Sequence, residues 1–195
     1  MLLLDRWDVK GVRVEDQGLV KYINLRPVIL PRTFGRVRGD FRKNEMNIVE
    51  RFMNKMMITG HTGKRHKLTS GKFCGNYQTV MMEMIKAFEM IEERTKKNPV
   101  QVLVTAIENS ALYEEIAAYQ LGGIIARKAV ITSPQRRVDV ALRLITQGIY
   151  RAGFKTRKTL AQVIAEQLIA VASNDAKTLP IRERNRIEKE AEGAR

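Results

Sequence analysis

Residues 112–143 read LYEEIAAYQLGGIIARKAVITSPQRRVDVALR, and this stretch decides the fold. Two runs rich in β-branched and aromatic residues, 112–120 and 124–132, flank Gly122-Gly123. A Gly-Gly pair supplies the positive φ that a two-residue hairpin turn needs. Pairing about that turn sets Tyr119 opposite Ala126, Ala118 opposite Arg127 and Ala117 opposite Lys128. Ser133-Pro134 then ends the second strand and opens a helix, with Ser133 as N-cap and Pro134 as the first helical residue. No other stretch reads as a convincing strand, and a lone two-stranded hairpin is marginal in water. The hairpin must therefore stand on helices. Its cations Arg127 and Lys128, followed by Arg136 and Arg137, point to a negatively charged partner.

Helical periodicity surrounds this arm. Residues 46–58 repeat apolar side chains at three and four (Ile48, Val49, Phe52, Met53, Met56, Met57), with Arg51 and Lys55 on the polar side. A second helix spans 78–96 on Met81, Met84, Ile85, Phe88 and Ile91. A third starts at Pro99 and turns Val102, Leu103, Ala106 and Ile107 inward. The methionine stripe is core filling. After Pro134, Val138, Ala141, Leu142, Ile145 and Ile149 face in, leaving Arg136, Arg137, Arg143 and Arg151 mostly outside; Gly153 ends that helix. Residues 159–172 form the most apolar helix, on Leu160, Val163, Ile164, Leu168 and Val171. From Pro180 onward charges alternate around Ile181 and Ile187, with i,i+4 pairs Arg184–Glu188 and Arg186–Glu190. That helix is too polar for a core element, and reads as a solvated tail or a segment docked on a neighbour. The first 44 residues read as mostly irregular, apart from a short strand over 19–25 before Pro27 and Pro31.

The fold class is thus mainly α: a helical bundle with one protruding two-stranded β-hairpin arm. The expected organisation is a basic N-terminal extension over 1–44, a helical body over 45–173 with the arm at 112–132, and a charged C-terminal tail or helix over 174–195.

A chain of 195 residues with 44% hydrophobic content can bury a real core. Its formal charge of +14 and pI near 10.2 call for a polyanionic partner, nucleic acid or an anionic membrane surface. No apolar run reaches membrane-spanning length and no signal peptide is evident. The single cysteine, Cys74, excludes an intrachain disulfide and fits a reducing compartment, so cytoplasm is expected.

Charge is uneven: residues 1–75 carry a net +9 and 111–160 a net +6, whereas 76–110 sum to −1 and 161–195 to zero. Within the first block, Arg32, Arg36, Arg38, Arg42 and Lys43 are spaced among Gly35, Gly39, Phe34 and Phe41, a pattern that tracks a phosphate backbone while aromatics stack or pack. The loop HTGKRHKLTSGK adds Lys64, Arg65, Lys67 and Lys72, and the connection FKTRKT adds Lys155, Arg157 and Lys158. Gly60–Lys64 lacks the glycine spacing and the Ser/Thr of a nucleotide-binding loop. His61, His66 and Cys74 are too few for a closed zinc site. Glu92 and Glu93 point apart on a helix. No nucleophile stands with a base, so neither an enzyme nor a metal or other cofactor is expected.

Four motifs in order, NIVERFMNKMM, IKAFEMIEERTKKNPVQVLVTAIEN, the Gly-Gly arm and SPQRRVDVALR, resemble the universal family of small-ribosomal-subunit protein seven. The segment YINLRPVILPRTFGR gives the resemblance an archaeal cast, and it covers roughly residues 22–195. It implies a primary binder of small-subunit ribosomal RNA that starts head assembly at the subunit interface. By resemblance, the GHTGKRHK loop, Arg127-Lys128 and Ser133–Arg137 touch that RNA, and Gly122-Gly123 points toward exit-site transfer RNA. Arg195 approaches messenger RNA, and small-subunit proteins nine and eleven are neighbours; neither membrane nor DNA is an expected partner. Glu114 and Glu115 depart from the strongly basic first strand of bacterial relatives. The main rival is an architectural DNA-binding protein with its arm in the minor groove, although this tip has no proline wedge. An RNA-modifying enzyme would need a cofactor loop or catalytic group that the sequence does not offer.

Overall fold

The computed structural model describes residues 2–37, 39, 42–58, 61–62, 65–66 and 75–195, with only the backbone at His61, Thr62, Arg65, His66 and Leu121. Six α-helices are described: α1 (Ile48–Met56), α2 (Tyr77–Thr95), α3 (Pro99–Ser110), α4 (Pro134–Gly153), α5 (Leu160–Ala172) and α6 (Leu179–Glu192). The arm is β3 (Glu114–Leu121) paired antiparallel with β4 (Ile124–Ile131), in the register read from the turn: Tyr119 faces Ala126 and Ala117 faces Lys128. Of the two turn glycines only Gly122 takes positive φ (+61°), the pattern of a type II′ turn with glycine first. A further short pair, β1 (His61–Thr62) with β2 (Arg65–His66), lies in the basic loop, where no strand is expected from the sequence.

The helix starts follow their caps. Asn47, Asn76 and Asn98 accept from the amides of Val49, Gln78 and Val100, each two residues on. Thr159 and Gln162 close a reciprocal capping box. Ser133 holds the N-cap position of α4 without a side-chain bond, leaving the fixed φ of Pro134 as the start signal. The apolar helix α5 sits centrally against α2, α3 and α4, and the arm rises between α3 and α4.

Two ends of the chain are more integrated than their sequences imply. The N-terminal segment is irregular, but Leu3, Trp7, Val9, Leu19 and Ile23 are core residues, and residues 17–22 form turns instead of a strand. Trp7 packs edge-on to Phe88 at 5.2 Å and donates to Glu92 at 3.0 Å. Side chains satisfy its backbone in place of a sheet. Gln101 brackets Arg13 by accepting from its amide (2.8 Å) and donating to its carbonyl (3.0 Å), and Glu108 accepts from the amides of Glu15 and Asp16. Gln101 and Glu108 are two turns apart on α3, so one helix face acts as the ladder.

The C-terminal helix is no solvated tail. Leu179, Pro180, Ile181 and Ala191 are buried, and Ile187 packs on Leu112, Val140 and Leu144 at the base of the arm. The expected i,i+4 pairs form: Arg186–Glu190 at 2.7 Å on the outer side of this docked helix, and Arg184–Glu188 at 3.9 Å against the body, where Arg184 also donates to Asn109 O and Glu188 accepts from Tyr113 N. Docking depends on Gly148 of α4, where a Cβ would lie 3.3 Å from Pro180 Cδ and 3.6 Å from Leu179 Cβ. Gly148→Val adds two branches to a site already at contact. It should cost about 1–3 kcal/mol in urea denaturation, with faster tryptic cleavage within 174–195. Unchanged cleavage would show that α6 docks without needing this close approach.

Candidate nucleic-acid interface

The arm's electrostatics follow from how its base is tied down. The Arg136 guanidinium binds both oxygens of the Glu115 carboxylate, one bond being Nη2–Oε2 at 2.7 Å, and Arg195 holds Glu114 at 2.6 Å. The Glu115 hydrogen bond raises the Arg136 pKa further above its ordinary value. Both acids of β3 are thus matched by cations of the body. On β4, Arg127 and Lys128 are exposed and have no ion-pair partner among the described residues. As neighbours in a strand they project from opposite faces of the ribbon. The arm therefore presents positive charge on both sides.

A second cationic surface begins where the arm meets α4. Arg136 and Arg143 are seven residues apart, so they line one face about 10 Å apart along the axis. Lys55 of α1 meets them across a cleft of about 320 Å³ that Ser133, Gln135 and Asp139 also line. Asp139 organises the far wall, taking Arg51 Nη2 at 3.0 Å and Lys43 Nζ at 3.7 Å. Against the five cations Lys43, Arg51, Lys55, Arg136 and Arg143 stand two carboxylates, Asp139 and the Glu115 bound by Arg136, which leaves the cleft and its far wall net positive. Lys55 and Arg143 have no ion-pair partner among the described residues. At the far end of α4, fifteen residues or about 22 Å from Arg136, exposed Arg151, Lys155 and Arg157 continue the positive surface.

Several sequence-predicted residues are placed elsewhere. Arg137 lies inside. Its Nε donates to Leu112 O at 2.9 Å, its Nη2 pairs with Asp16 at 2.6 Å, and its Cζ sits 4.3 Å from the Tyr113 ring centroid. Successive helical residues diverge by about 100°, so Arg136 and Arg137 cannot share the outer face. Arg51, read as polar-side, is likewise buried, bonded to Tyr22 O and Asp139. Arg42 pairs with Glu45 at 2.9 Å and Lys158 with Glu166 at 2.6 Å, while Arg36 is exposed. Gly122 and Gly123 form the exposed tip, and Arg195 is held at the arm's base. Arg38, Lys64, Lys67 and Lys72 lie outside the described residues, and Arg65 is described by its β2 backbone alone. Lys55 is the cation that sequence reasoning missed. Its place on the polar side of α1 was visible, but its meeting with Arg143 is purely tertiary.

A family model described as ribosomal protein S7p/S5e matches residues 19–195. The chain belongs to the ribosomal protein S7p/S5e family. It is similar to proteins named small ribosomal subunit protein uS7. That of Nanoarchaeum equitans is 42% identical over 196 residues, covering 100% of this chain and 99% of the relative. Those of Methanothermobacter thermautotrophicus (40%, covering 99% and 98%) and Methanothrix thermoacetophila (39%, covering 100% of each) are comparable. As a member of the S7p/S5e family the chain is a structural ribosomal protein and not an enzyme, which bears out the resemblance and its archaeal cast. No described helix of this family member is long and apolar enough to cross a membrane.

Proposed function

We propose that the chain is a component of the small ribosomal subunit that binds small-subunit ribosomal RNA directly and helps to initiate assembly of the head. The observation that carries this reading is the cleft of Lys55, Arg136 and Arg143 at the root of an arm whose acids are internally neutralised and whose Arg127 and Lys128 are free of ion pairs among the described residues. Lys and Arg replace condensed counterions on the phosphates, so binding weakens steeply with salt. The deep groove of an A-form helix hides base edges, so the cleft and the arm recognise the shape of a folded junction. The exposed tip, with Ile124 and Ile125 beside Gly122-Gly123, reaches toward exit-site transfer RNA. The α6 end, with Arg195, lies toward messenger RNA and small-subunit protein eleven, with protein nine a further neighbour. The working location is the ribosome in the cytoplasm.

The test is a salt series with the full chain, a head-domain ribosomal RNA fragment and duplex DNA of equal length. The RNA should remain bound at salt that strips the DNA, with each phosphate contact adding about 0.7–0.9 to the logarithmic slope. Parallel loss from both nucleic acids with equal slopes would sink the RNA-specific reading and favour a DNA-architectural one.

A further inference from the structure

Beyond the α4 cleft, residues 31–35 are tied to both α1 and α2. Tyr77 Oη donates to Pro31 O at 2.6 Å, and the carboxylate of Glu50, only 4% exposed, accepts from Thr33 N (2.7 Å) and Thr33 Oγ1 (2.9 Å). Burial, and then the Glu50 charge, push the Tyr77 phenol up to about 12, so it stays a neutral donor. Between these two anchors the Arg32 guanidinium sits 4.7 Å from the Phe34 ring centroid and 4.8 Å from that of Tyr77.

Phe34 is the odd member of this column. Its φ is +53°, followed by Gly35 at +73°. A bulky residue in that region is strained, and such strain gathers at ligand clamps. Here it buys no burial, since the ring is 63% exposed and lies outside the hydrophobic core. With Arg32 on one face, its other face is left for a partner. Arg32, Phe34 and Tyr77 wall a cleft of about 800 Å³, within the range of small-ligand sites. Three carboxamides line it: Asn76, whose oxygen caps α2, and Asn54 and Gln78 from α1 and α2. Gln78 makes no side-chain hydrogen bond among the described residues, and Asn54 has only a 3.4 Å contact from Nδ2 to Met46 Sδ.

We propose that this cleft receives one unpaired nucleobase of the bound RNA, stacked on Phe34 above Arg32 and Tyr77, with its edge read by Gln78 and Asn54. The proposal rests on the RNA-binding reading and assigns a site that shares no lining residue with the α4 cleft. Base-on-aromatic stacking tolerates any base, and the guanidinium beneath the ring strengthens the column. Carboxamides match adenine best, since each offers a donor and an acceptor to its N6–N7 edge. The Glu50 carboxylate in the same wall offsets the Arg32 charge, so the cleft has no net positive charge to draw in a phosphate; a base enters and its backbone stays outside.

Three full-length variants and two probes test it. Phe34→Trp places an exposed indole beside the cleft, and the chain's own Trp7, 4% exposed, serves as the unresponsive control. Its emission should be quenched when the head-domain RNA fragment binds. Phe34→Leu should weaken that binding about tenfold, in keeping with one lost stack, and should expose a single unpaired nucleotide to base-modifying reagent while other protections persist. Gln78→Ala should expose the same nucleotide. The site is overturned if Phe34→Leu binds and protects as the unaltered chain does, or if it loses all protections together with its cooperative unfolding. Adenosine monophosphate is the second probe. If it quenches Phe34→Trp to saturation and RNA fails to displace it, the ligand is a free nucleotide and not an RNA base. An unaltered chain that does not retain the RNA fragment would instead bring down the RNA-binding reading beneath the proposal.

Discussion

Arg137→Ala should lower the folding stability by about 3 kcal/mol and loosen the arm at its root. Arg137 joins two parts of the chain that are remote in sequence, Asp16 in the N-terminal segment and the foot of the arm, where it binds the Leu112 carbonyl and lies over the Tyr113 ring. Removing one member of a buried pair costs about 3–5 kcal/mol, because the remaining charge is left desolvated. The lower end applies here, since the Asp16 side chain is 20% exposed and water can reach it when the guanidinium goes. Lysine at this position keeps the charge but cannot bridge a carbonyl and a carboxylate with one planar fork, so Arg137→Lys should recover only part of the loss. Urea denaturation of Arg137→Ala, Asp16→Ala and the double variant gives the coupling. A value above about 1 kcal/mol is expected for directly bonded side chains. Hydrogen exchange at Thr132, whose amide bonds Tyr113 O at 2.9 Å, should accelerate in Arg137→Ala more than exchange within α5. If the variant unfolds within about 0.5 kcal/mol of the unaltered chain, Arg137 is not the link that fixes the arm.

The arm was legible because its signals are local. A Gly-Gly turn between β-branched runs fixes a register within eight residues, and Ser133-Pro134 fixes the next helix start. The arginines of SPQRRVD were not legible one by one. Composition places them beside the arm, but only the rotation between successive helical residues turns Arg136 out to Glu115 and Arg137 in to Asp16. The burial of the irregular N-terminal segment is not legible for a related reason. Its apolar residues Leu3, Trp7, Val9, Leu19 and Ile23 follow no period because it forms neither helix nor strand. Its backbone partners, Gln101 and Glu108, lie far along the chain on α3. For α6, three of the buried residues are the inconspicuous Leu179, Pro180 and Ala191, and the notch that admits Pro180 is a glycine on another helix. In each case the missing information was the identity of a distant neighbour, which hydropathy along one segment does not contain.

Reversing charge in the α4 cleft should weaken RNA binding on the order of a hundredfold at physiological salt. Lys55→Glu/Arg143→Glu is the informative pair, because neither side chain has an ion pair among the described residues, and their loss breaks no such fold contact. Two phosphate contacts contribute about 1.5 to the logarithmic salt slope, which alone corresponds to more than tenfold at 0.15 M salt. Two carboxylates facing the same phosphates add repulsion on top. Arg136 is the poorer choice, since its removal also uncovers Glu115 and would confound arm geometry with RNA contact. Lys177→Glu, an exposed site on the α5–α6 connection, has the same charge change per residue and should stay within about threefold, reporting the long-range field alone. The salt slope separates the mechanisms. A fall in affinity with a shallower slope means that phosphates occupy this cleft. A fall of equal size at unchanged slope would mean that the acids act from a distance, and the RNA path would then have to run along the arm and the Arg151–Arg157 end of α4.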